Sequence, residues 1–123
     1  MSGTPGADVV AELLGTWRRA FDGHRVADIV SLFGEDALFQ GIGPDLRTGP
    51  EEIAEYYAVV PEGTTAEVEV LGGIRLGEGT VGGFADVTFT ARTGETHPVR
   101  LSIVAERAGD GWLIRQYHAA TRR

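Results

Sequence analysis

At Thr64 the hydrophobic period of the chain changes. Upstream, Val9, Val10, Leu13, Leu14, Trp17 and Phe21 recur at three- and four-residue steps between Ala7 and Phe21. Downstream, Ala66, Val68 and Val70 alternate with Glu67 and Glu69. The first spacing lays an apolar stripe along a helix, and the second lays an apolar face along a strand. Helices followed by a meander make an α+β domain, one curved and mostly antiparallel sheet with helices packed on one face.

The punctuation supplies the elements. Asp22 and Gly23 end the first helix, and Val26, Ile29, Val30, Leu32 and Phe33 predict a shorter second one that stops near Gly34. The run DALFQG at 36–41 reads as the first strand. Thr48 and Glu51 have capping-box spacing, Pro50 suits a first turn, and Ile53, Tyr56, Tyr57 and Val60 give a third helix an apolar face until Pro61 stops it. Four long strands are expected near 64–76, 80–92, 96–107 and 111–120, joined by the tight connections LGEG, RTGE and AGDG. A length of 123 residues suits one core, expected over 7–123, behind a flexible N-terminus at 1–6.

Composition narrows the partners. With 18 acidic and 11 basic residues the formal charge is −7, which disfavours nucleic acid and anionic membrane. The absence of cysteine removes disulfides, thiolate metal sites and a Cys nucleophile. No segment approaches the ~18 apolar residues of a membrane span, and MSGTPGADVV lacks the marks of a signal peptide, so a cytoplasmic protein is expected. GEGTVG at 77–82 has the glycine spacing of a dinucleotide fingerprint but joins two antiparallel strands, and no cofactor is expected. The histidines at 24, 97 and 118 show no HxH or HExxH spacing, so no metal is expected either.

Alternation then assigns sheet faces. The inward sets are Val81, Gly83, Ala85, Val87, Phe89 and Ala91 on one strand and His97, Val99, Leu101, Ile103 and Ala105 on the next. On the last strand Trp112, Ile114, Gln116 and His118 share the face predicted to point inward. Gln40, His97, Gln116 and His118 would then line one cavity with Trp17, Phe21, Phe39, Tyr57, Phe89 and Leu101. Tyr57, four residues after Ile53, is preferred over its neighbour Tyr56. The opposite set Phe84, Val104, Leu113 and Tyr117 is too apolar for a solvated surface and predicts a homodimer through the outer sheet face.

WRRAFDGHRVADIVSLFGEDALFQG, RTGPEEIAEYY and GWLIRQYHAA together resemble the NTF2-like superfamily, its SnoaL-like domains and their SgcJ/EcaC-type branch. The resemblance implies a cone in which helices and sheet enclose a pocket, often in a homodimer. In the ketosteroid isomerases of that fold, the oxyanion tyrosine, base and protonated acid align with Trp17, Gly41 and Leu101, so all three groups are missing. Proton transfer would fall to His118 or His97, whose unperturbed pKa near ~6.5 suits either role. The expected function is binding of a small, largely apolar, cyclic or polyketide-derived molecule, with isomerisation, cyclisation or dehydration as its chemistry. A non-catalytic carrier is the alternative. An oligomerisation unit is a third, because the last strand also resembles the calmodulin-kinase association domain.

Overall fold

Six buried residues, Val10, Leu13, Leu14, Trp17, Ala20 and Phe21, form one stripe along α1 (Ala7–Asp22), and the sheet beneath that stripe organises the rest. The structure, a computed structural model, describes residues 6–122. Most of the expected N-terminal segment lies outside them; Gly6 is the N-cap of α1. Then come α2 (Val26–Val30), β1 (Phe33–Gln40), β2 (Leu46–Thr48), α3 (Gly49–Ala58), β3 (Thr65–Gly77), β4 (Thr80–Thr90), β5 (Thr96–Ala108) and β6 (Gly111–Thr121). The strands form one sheet in the order β2-β1-β6-β5-β4-β3, with β1 and β6 its parallel pair. This is the expected α+β architecture.

Three local readings are corrected. The second helix ends at Val30, because Phe33 and Gly34 are buried as the start of β1. Strand β2 was not foreseen; three residues cannot display a period. At the start of α3 it is Glu52, not Glu51, that accepts the Thr48 N–H, at 2.8 Å. Gly49 is left-handed at φ 85°, so the regular turn begins one residue later and the capping carboxylate moves with it.

One irregularity decides which side chains face inward. Along the β5–β6 ladder Val104 pairs with Gln116 and Ala105 with Ile114, which leaves Arg115 as an extra residue. Such a bulge exchanges the two faces of every residue beyond it. Ile114 points inward, but so do Tyr117 and Ala119, whereas Gln116 and His118 are exposed on the outer face. The predicted inward direction of Gln116 and His118 is therefore corrected, and Tyr117, 3% exposed, leaves the outer apolar set.

Candidate functional site

Aromatic side chains from both layers converge at the end of the sheet where β1, β4 and β6 finish and β5 begins. Trp17 and Phe21, one turn apart on α1, stack at 5.3 Å between centroids, and Phe21 meets Phe89 at 5.1 Å. From β1, Phe39 lies parallel to Tyr117 at 4.5 Å and edge-on to Tyr56 at 4.8 Å. Between these rings remains a cleft of about 190 Å³ lined by Phe21, Ile42, Tyr56, Tyr57, Val60, Thr64, Phe89, His97 and Tyr117.

Of the expected site residues, Phe21, Tyr57, Phe89 and His97 reach this cleft. His97 is exposed at its mouth, a cross-strand neighbour of Phe89, with Nε2 3.0 Å from the Thr121 hydroxyl. Trp17, Phe39 and Leu101 are buried core instead. Gln116 and His118 lie outside for the reason given above. Gln40, on the outer side of β1 beside its register partner His118, donates from Nε2 to the Gly43 carbonyl at 2.7 Å and braces its own turn. That amide is scaffold.

Tyr117 was missed as a lining residue, and Tyr56 was set aside in favour of Tyr57. Both adjacent tyrosines of α3 touch the cleft, since Tyr57 points into the core and Tyr56 turns along the loop after β1, where its hydroxyl accepts the Ile42 N–H at 2.9 Å. Gly41 makes room for it: a Cβ there would stand 2.4 Å from the Tyr56 ring. Gly41 is thus packed under a phenol. A sequence signal for Tyr117 did exist, because Ile114 and Tyr117 are apolar residues three apart within a strand, an odd spacing that a regular ladder cannot place on one face.

The Trp17 indole N–H donates to the Tyr57 oxygen at 3.0 Å, and the hydroxyls of Tyr57 and Tyr117 are neighbours. Burial raises the pKa of Tyr57 and Tyr117 above the ordinary tyrosine value. Tyr56 is raised too, chiefly by burial, with the Ile42 N–H and Arg47 opposing. All three phenols are neutral at physiological pH and serve as hydrogen-bonding groups, not bases.

Larger hollows lie elsewhere, yet they lack this convergence. One of about 520 Å³ is walled by Glu35, Asp36, Glu106 and Arg115, with Arg115 paired to both Asp36 and Glu106. Another of about 430 Å³ is an apolar trough on the outer sheet face beside Ile74, Leu76 and Phe84. The smaller cleft joins aromatic walls to phenol hydroxyls and a histidine, as small-molecule sites do. Among the described residues no three His, Asp or Glu side chains converge as a metal site would need, and no helix is long and apolar enough to cross a membrane.

Comparison with known proteins agrees with this architecture. A family model described as a SnoaL-like domain matches residues 10–121. No curated protein sequence matches the chain. Among solved structures, a domain of unknown function with a cystatin-like fold from Nostoc punctiforme PCC 73102 superposes with a TM-score of 0.84 at 17% identity, over 99% of this chain and 80% of that one. A ketosteroid isomerase-like protein from Erwinia carotovora atroseptica SCRI1043 gives 0.80 at 17%, over 94% and 95%. The hexachlorocyclohexane dehydrochlorinase LinA, type 2, gives 0.79 at 16%, over 94% and 84%. Identities this low establish a shared fold.

Proposed function

Since the chain belongs to the SnoaL-like domain family, we propose that it binds a small, largely apolar ring compound in the aromatic cleft, with His97 at the mouth as the group able to exchange a proton with it. The observation that carries this reading is the meeting of Phe21, Tyr57, Phe89, His97 and Tyr117 around about 190 Å³. That volume lies nearer the ~150 Å³ cavity that takes benzene than the ~300–1,000 Å³ of drug-sized sites. A single ring suits it, and a multi-ring polyketide would not fit without opening the site. The neighbours of this fold include proteins named for isomerase and dehydrochlorinase chemistry, both of which move protons. Membership of the SgcJ/EcaC-type branch and a cytoplasmic setting belong to the same proposal.

The experiment is deuterium uptake from heavy water at the acidic C–H of a one-ring ketone, followed by NMR beside a binding measurement. Uptake above the buffer rate that falls by about 10²–10⁴ in His97→Asn supports proton transfer by His97. Binding without uptake makes the protein a carrier, and the absence of binding ends the reading.

A second copy is the proposed partner. Phe84, Ile74 and Leu76 are 56%, 58% and 56% exposed around the outer trough, a cluster of apolar area that a homodimer through this face would cover.

A further inference from the structure

We infer that the cleft selects a neutral ring compound carrying a hydrogen-bond acceptor, a carbonyl oxygen above all, and that the Tyr117 hydroxyl receives it. This rests on the reading of the cleft given above and names the ligand class and the residue that recognises it.

The three phenols differ in their hydrogen-bond partners. Tyr57 is already engaged, since its oxygen accepts from the Trp17 indole. The Tyr56 oxygen takes the Ile42 N–H, and its partly exposed ring leaves water as a partner for its proton. Tyr117 differs. Among the described residues its hydroxyl has only that of Tyr57 beside it, and no carbonyl, carboxylate or N–H is bonded to it. Its ring is 3% exposed and held flat against Phe39, so the hydroxyl opens onto the cleft it lines and cannot swing out to solvent. A donor on the wall of a cleft needs an acceptor once a ligand shuts out water. Water supplies one while the cleft is empty; a ligand that displaces the water without replacing its bond leaves the donor unpaired.

Charge sets the other half of the selection. No carboxylate, Lys or Arg lines the cleft, whose one ionisable group besides the phenols is His97 at the rim. An anionic ring would bury its charge without a counterion, and a pure hydrocarbon would strand Tyr117. A neutral ketone or aldehyde avoids both penalties.

Two ligands of one shape test this: acetophenone and α-methylstyrene, which differ by C=O against C=CH₂. Their Kd values are measured by ligand-observed NMR on the wild type and on Tyr117→Phe. The ratio of the two constants should move against acetophenone by about tenfold in the variant, through tighter α-methylstyrene binding as well as weaker acetophenone binding, and retained α-methylstyrene binding shows the cleft intact. An unchanged ratio overturns the assignment of Tyr117 and leaves the apolar cleft standing. Failure of both ligands on the wild type removes the cleft reading as well. Carbonyl carbon-13 labelled acetophenone gives a readout that needs no variant: a bound shift downfield of the value in hydrocarbon solvent is expected, and a bound shift equal to that value would contradict the hydrogen bond.

Discussion

The indole nitrogen of Trp17 lies 3.0 Å from the hydroxyl of Tyr57 and donates to it, a contact that joins α1 to α3. Trp17 itself is fully buried, so it supports the cleft from beneath. Trp17→Ala should cost about 3–5 kcal/mol from the cavity alone, and Trp17→Phe about 1–3 kcal/mol because the Tyr57 oxygen loses its donor. Urea unfolding measures both. A Trp17→Phe variant as stable as the wild type would show that the bond is not used.

The free edge of β3 is closed by α1. Ala66 donates its N–H to Asp22 Oδ1 at 2.8 Å and accepts from Arg18 Nε at 3.1 Å, so one ion pair satisfies both edge groups of one residue. Unprotected strand edges invite pairing with other chains. Asp22→Ala should therefore lose about 1–2 kcal/mol and speed hydrogen exchange at Ala66. Exchange there at the wild-type rate would remove Asp22 from this role.

Stability should fall at both ends of the pH scale. Hydrogen bonds from Arg100, with Arg122 beside it, hold the Asp86 carboxyl below its usual pKa, so its contribution is present above about pH 4 and is lost as pH falls through the depressed value. The buried phenols have raised values; their contribution is present below about pH 10 and is lost as pH rises beyond it. Denaturant midpoints across the range should show a plateau with two descending limbs. Asp86→Asn should flatten the acid limb, and Tyr117→Phe the alkaline one.

How much of this was legible turns on β6. Strands 80–92 and 96–107 were readable because their alternation runs unbroken, and the observed β4 and β5 end within two residues of those limits. The face of Val99, Leu101 and Ile103 followed directly. In β6 the same rule gave the right strand and the wrong half of its faces, since one bulged residue, Arg115, costs little and exchanges everything after it. His118 and Gln116 were assigned inward on that account, and Tyr117 outward. The pairing of Tyr56 with Gly41 depends on a loop conformation that no period encodes.

The outer face offers a separate prediction. If two copies meet there, light scattering at tens of micromolar gives a dimer for the wild type and a monomer for Phe84→Glu. Phe84 is 56% exposed, so the substitution leaves the core alone. A dimer that survives the charge would move the interface elsewhere.

The central claim is that the cleft beside Tyr57, Phe89, His97 and Tyr117 is where this protein meets its ligand. Intermolecular NOEs to bound acetophenone test it most directly. The account predicts contacts from the ligand ring to Phe21 and Phe89, with shift changes at His97 and Tyr117 and none at Gln116 or His118. Contacts confined to the outer face around Phe84, or to the groove beside His118, would contradict it.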